Sequence, residues 1–308
     1  MTQDFSEGPP LTVGEVAAPR PAQGLRRLPA YLSLTKPRQT MLLLLTGVCA
    51  YALTLPGAVR WTELLLGGLA LWTTISGCTV LNMLADRDID ARMGRTARRP
   101  LPARQVSSSA ALRFGLALSL PGLALAWLLQ PLFGLLVSLG FALDLGVYTL
   151  WLKRRTPFSI LLGGLSGGMP ALAGRALALG RVDTVGLLLA AGVLLWIPAH
   201  ILTLASRYAA EYRLAGVPVW PEVYGPRATR RLVAGATFSM AVVLCVAGWL
   251  LHIHPVALVT LGLMGVGLSG LAVAVLLRPV ERLNWALFKA ASFYMLGSFL
   301  CLTLGTLG

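Results

Sequence analysis

Acidic side chains are scarce in this chain: 12 Asp and Glu among 308 residues, with charged residues of both signs making up only 12%. A water-soluble domain carries about 25% charged residues, so a soluble globular fold is excluded, and a wholly disordered chain with it. Histidine is rarer still, at three, and only His200 falls in the interior of an apolar run. That is too few for an electron carrier needing pairs of axial histidines within its spans. The four cysteines, Cys49, Cys78, Cys245 and Cys301, all lie in apolar runs without metal or redox spacing. They read as buried core thiols, and a disulfide scaffold is ruled out. Residues 1–30 are rich in Pro and Gly and lack the continuous apolar core of a secretory signal. They read as a disordered cytoplasmic tail ahead of a domain covering 31–308.

What the chain has in abundance is hydrocarbon: 56% of residues are hydrophobic and the mean hydropathy is +0.74. Apolar runs fall at 39–56, 62–84, 111–130, 132–152, 158–177, 184–206, 232–251, 254–277 and 284–307. Each approaches the roughly 20 residues a helix needs to cross a bilayer. The expectation is an all-α polytopic membrane protein with nine transmembrane helices. Near-continuous junctions at Gln130-Pro131 and at His252-Ile253-His254 predict tight hairpins. Of 26 Lys and Arg, 22 fall in alternate loops and only Arg60, Arg175 and Arg181 on the other side, with Lys289 left inside the ninth run. The positive-inside rule then places the N-terminus in the cytoplasm and the C-terminus outside. The same asymmetry accounts for the net charge of +14 without any nucleic-acid partner.

Polar groups in or beside hydrocarbon are costly, so they mark where chemistry belongs. Asn82, Asp86 and Asp90 recur every four residues, which places two carboxylates and an amide along one helix face as hard ligands for Mg²⁺. A helix end solvated by water, with surface ion pairs, is the competing reading. Arg95 and Arg99 follow directly; a site for a divalent ion plus diphosphate needs such cations, although arginines here also serve topology. Tyr148 and Lys153, at the end of the fourth run, suit a phosphate oxygen and a nearby cation, or equally an interfacial anchor. His200, Tyr208 and Glu211 form a third polar group on the same side. Asp144 is a lone acid inside the fourth run. Charged sets crowding one membrane face, with no internal repeat, weigh against the alternative of a transporter.

At these motifs the chain resembles the UbiA superfamily of intramembrane prenyltransferases. The resemblance runs from about residue 31 to 233. It is carried by Leu34-Thr35-Lys36-Pro37-Arg38, by Asn82 through Asp90 followed by Arg95-Thr96-Ala97-Arg98-Arg99-Pro100-Leu101-Pro102, and by Tyr148 through Pro157. The last segment points to the branch that prenylates haem. The resemblance implies nine helices around a central cavity and Mg²⁺-dependent transfer of a farnesyl group from farnesyl diphosphate to a vinyl group of haem b (protoheme IX). The product is haem O, destined for haem-copper oxidases. Asn82, Asp86 and Asp90 would hold the metal, with Asp86, Asp90, Tyr148 and Lys153 catalytic. Arg95, Arg99, Lys153, His200 and Glu211 would bind substrate. It further implies residence in a bacterial or archaeal cytoplasmic membrane, a site facing the cytoplasm, and association with other membrane proteins of haem biosynthesis. The chain departs from the haem pattern at Ile197, Ala199, Ala210, Val219 and Trp220, which alters the acceptor side and leaves a quinone ring or another tetrapyrrole as alternative acceptors.

Overall fold

The computed structural model describes residues 28–307, all helix and connecting turns; the tail expected at 1–30 lies outside them except for its last three residues, which already belong to a helix. Short α1 (Leu28–Leu34) leads into α2 (Pro37–Ala52), α3 (Trp61–Ala85) and short α4 (Arg87–Arg92). Then come α5 (Ser108–Leu129), α6 (Pro131–Leu152), α7 (Ser159–Leu179) and α8 (Thr184–Arg207). Short α9 (Ala209–Leu214) precedes α10 (Trp220–Leu250), α11 (Pro255–Leu277) and α12 (Glu281–Gly305).

Eight of these, α3, α5, α6, α7, α8, α10, α11 and α12, are long and apolar enough to cross a membrane. Nine runs were expected; the first forms α2, which has 16 residues and stops at Ala52 because the chain turns at Leu53. At 1.5 Å per residue its axis covers about 24 Å, short of the roughly 30 Å hydrocarbon core. The seventh run begins twelve residues earlier than its apolar stretch, at Trp220, and is bent where Gly225 adopts φ 79° ahead of Pro226. Both expected hairpins are present. Gln130 breaks helical geometry before Pro131 opens α6, and His252 takes a left-handed φ of 50° between α10 and α11.

Close packing rests on small residues. A methyl group on Gly174 of α7 would overlap the Gly47 carbonyl of α2, so those two backbones touch directly. At the end of α7 the buried Arg175 donates to Asp183 through Nε and Nη2, both at 2.7 Å, and to Thr54 at 3.0 Å, tying α2, α7 and the α8 entry together.

Two helices widen locally. Residues Ala142–Leu152 of α6 and Pro198–Leu202 of α8 follow π-helical hydrogen bonding, as in the bond from Lys153 N to Tyr148 O at 2.9 Å. Such stretches shift which side chains share a face and recur at functional sites.

Candidate functional site

The α3 helix does not run unbroken through its acidic motif. It ends at Ala85, Asp86 takes φ −91°, ψ 1°, and α4 starts at Arg87. Asn82, Asp86 and Asp90 were expected on one uninterrupted face. The helix is interrupted at Asp86, but the amides of Asp86 and Asp90 still bond to the carbonyls of Asn82 and Asp86 at 3.0 and 2.8 Å.

Each acid receives a cation from another segment. Lys153 Nζ pairs with Asp86 Oδ2, and Arg99 Nη1 donates to both oxygens of Asp90 at 3.0 and 2.8 Å. Asp86 and Asp90 are buried, so these partners are what makes their charge tolerable. Beside Lys153, Arg154 donates to Asp88 at 2.8 and 2.6 Å and to the Ala85 carbonyl at 2.9 Å, closing the end of α3. Those hydrogen bonds hold the Asp88 carboxyl at about 2. Burial opposes the charge of Lys153, yet the Tyr148 oxygen and the Asp86 carboxylate prevail and raise its pKa.

The Asn82 side chain is held at both ends. Its Nδ2 donates to Asp144 Oδ2 at 2.6 Å, and its Oδ1 accepts from Thr149 at 3.0 Å. Cys78 also reaches Asp144, at 3.3 Å. Tyr148 lies against α7, where Gly163 gives it room: a methyl there would stand 2.5 Å from the ring. Lys153 Nζ is 5.6 Å from the Tyr148 ring centroid.

Sequence reasoning left Lys36 and Thr149 out of the site and gave Asp144 no role. Lys36 sits in a left-handed conformation, φ 44° and ψ 64°, directly before Pro37. Both a side chain at Cβ and a following proline disfavour that geometry, and strain of this kind gathers where function over-determines the backbone. Burial, with the charges of Arg99 and Lys153, pulls its pKa down to about 8 against the opposing pull of Asp86 and Asp144. The signal available in the sequence was a lysine immediately before the proline that opens a helix.

The remaining expected residues form two further groups. The Arg95 amide donates to Glu211 Oε2 at 3.1 Å and its guanidinium lies 5.1 Å from the Tyr208 ring centroid, turned toward α9 rather than onto the carboxylates. His200 is apart from the acids. It is stacked between Trp196 and Phe288, both centroids at 4.4 Å, and its Nδ1 is 3.1 Å from the Ser292 hydroxyl.

Asp86 Oδ1 is buried and has no hydrogen-bond partner. A hard anionic oxygen kept dry and unbonded fits a hard divalent cation. Among the described residues no three His, Cys, Asp or Glu side chains converge, so such an ion would draw on two carboxylates, the Asn82 amide and oxygens of a ligand.

Membrane-length helices around a buried set of paired acids and cations define an integral membrane enzyme, a prenyltransferase by class. The chain belongs to the UbiA prenyltransferase family, whose match covers residues 43–297. The protoheme IX farnesyltransferase of Korarchaeum cryptofilum is 44% identical over 216 residues, 70% of this chain and 73% of that one. Two solved structures share the fold. One concerns digeranylgeranylglyceryl phosphate synthase in membranes, with a TM-score of 0.76 at 18% identity, over 92% of this chain and 99% of that one. The other is a UbiA homologue from Archaeoglobus fulgidus bound to GPP and Mg²⁺, with a TM-score of 0.69 at 14% identity, over 89% and 99%.

Proposed function

We propose that this chain transfers the farnesyl group of farnesyl diphosphate to a vinyl group of haem b, giving haem O. The carrying observation is the buried Asp86, one oxygen paired with Lys153 and the other unpartnered, beside Asp90 and its Arg99. The name of the Korarchaeum cryptofilum relative supports the choice of donor and acceptor, and Mg²⁺ in the Archaeoglobus fulgidus structure supports the ion.

Asn82, Asp86 and Asp90 would hold Mg²⁺, which when bound supplies positive charge against the departing diphosphate. Lys153 and Arg99, which here pair with those carboxylates, would donate N–H groups to phosphate oxygens, with Lys36 completing the anion cradle and Arg95 at its edge. Asp144 and Thr149 keep the Asn82 amide turned for this task. The allylic C–O bond breaks with its electron pair going to diphosphate. The Tyr148 ring, beside Lys153, would offer its π-face to the allylic cation. The vinyl π-electrons then form the new C–C bond. Water adds to the carbon left electron-deficient and loses a proton to solvent, which closes the balance.

Basic residues gather at the end that carries the acids, which supports a site facing the cytoplasm of a bacterial or archaeal cell, with the N-terminus inside and the C-terminus outside. The ninth crossing this topology needs would fall to α2, short as it is, which packs on α3, α7 and α12. The test is purified protein given farnesyl diphosphate, haem b and Mg²⁺, with products read by mass spectrometry. Haem O is the expected product. Its absence under conditions where an authentic haem O synthase turns over would overturn the acceptor, and a prenylated quinone ring in its place would name another.

A further inference from the structure

Lys289 is a cation in an apolar helix with no acid to answer it. It stands eight residues into α12, about 12 Å from the helix start, and is exposed. Among the described residues no carboxylate pairs with it. It lies over an aromatic face: Nζ is 5.8 Å from the Trp285 ring centroid. The same ring takes a second cation from another helix, Arg207 of α8, whose guanidinium carbon is 4.9 Å away. Arg207 meets only the exposed Glu281, through Nε at 3.4 Å, and its two terminal nitrogens donate to no described group. Trp285 in turn begins a column of near-parallel rings, with Phe288 at 4.7 Å and 12°, then His200 and Trp196 behind it. Toward the acids the path continues from Arg207 to Tyr208 at 5.9 Å and from Tyr208 to Arg95.

An aromatic column edged by two under-used cations has the chemistry of a site for an apolar, aromatic amphiphile that ends in carboxylates. We propose that Arg207 and Lys289, spaced by Trp285, bind the two carboxylates of the acceptor and so set its reach toward the diphosphate site. This rests on the reading of haem b as acceptor, whose macrocycle is flat and carries two propionates. The planar fork of Arg207 suits a bidentate contact, and Lys289 supplies a point charge on a flexible stem. Because the clamp acts on the acceptor alone, its loss changes acceptor binding and leaves the Michaelis constant for farnesyl diphosphate in place.

The experiment compares haem b with its dimethyl ester as acceptors for wild type, Lys289→Met, Lys289→Arg and Arg207→Gln. Binding of metal-free protoporphyrin IX and of its dimethyl ester is followed in parallel by quenching of tryptophan fluorescence. Wild type is expected to favour the free acid by about tenfold in KM and in binding, the low end for one hydrogen bond to a charged group. Lys289→Met and Arg207→Gln should lose most of that preference, and Lys289→Arg should recover it. Equal preference in wild type and Lys289→Met would overturn the clamp and leave Lys289 as a headgroup anchor. If wild type prenylates neither acceptor, the acceptor reading fails, while the fluorescence comparison of acid with ester still decides the carboxylate clamp.

Discussion

Asp144 and Thr149 stand five residues apart on α6 and hold opposite ends of one side chain, the Asn82 carboxamide. In an α-helix that spacing would turn the two about 140° away from each other. Over Ala142–Leu152 the helix is wound as π, with a longer turn, and the pair comes to face the same partner.

Loss of this support should loosen whatever Asn82 holds. Asp144→Leu is expected to lower kcat/KM for farnesyl diphosphate roughly 10- to 100-fold and to raise the Mg²⁺ concentration for half-maximal rate, the usual scale for groups that orient a metal ligand. Thr149→Val removes one neutral hydrogen bond and should cost only a few-fold. A Mg²⁺ titration of each variant checks both; unchanged half-saturation would remove Asp144 from any such role.

Asp86→Asn and Asp90→Asn keep side-chain volume while removing the charge that faces Lys153 and Arg99. Turnover should fall more than about a hundredfold in either, since metal-borne charge stabilisation is worth several kcal/mol. Circular dichroism and a thermal melt establish that the helices persist. Near-normal turnover in a folded variant would exclude a metal role for that acid.

Lys36 gives a pH dependence whose sign follows from its depressed pKa of about 8. Below that pH the group is charged and binds diphosphate; as pH rises through about 8 the proton leaves and kcat/KM for farnesyl diphosphate should fall. Stability moves the other way. An unfolded lysine holds its proton up to its ordinary 10.5, so charging Lys36 disfavours the fold, and that penalty fades as pH climbs from about 8 to 10.5. Lys36→Arg should flatten the activity profile, and a pH–rate series on wild type and variant reads the difference.

Glu211 accepts from the Arg95 amide, so Glu211→Gln preserves an acceptor oxygen and should cost a few-fold in kcat/KM, less than either Asp variant. Glu211→Ala, which strands that amide, should cost more. Steady-state rates of the two side by side decide whether the residue acts through its charge or through its hydrogen bond.

The all-helical architecture was legible because crossing a bilayer imposes length and apolarity on every helix, and the runs had both. α2 was overestimated, since apolar Leu53 and Leu55 continue its pattern after the backbone has turned. The opening of α10 was missed because Trp220 to Arg231 is polar, and a hydropathy pattern does not see a helix outside hydrocarbon. The acid–cation neighbourhood of Asp86, Asp90, Arg99 and Lys153 followed from motif order. Thr149 did not, because counting by 3.6 puts it on the wrong face of a helix that is locally wider. Lys36 was hidden by a backbone torsion that no periodicity encodes.

The direct touch between Gly47 and Gly174 makes a fulcrum of the shortest long helix. Lys36 lies eleven residues from that point, the tip of a lever arm of about 16 Å. A single methyl group in the last turns of α7, at Gly174→Ala, would therefore tilt α2 and be felt at the far end as a displaced ammonium, silencing the enzyme without touching any residue of its chemistry.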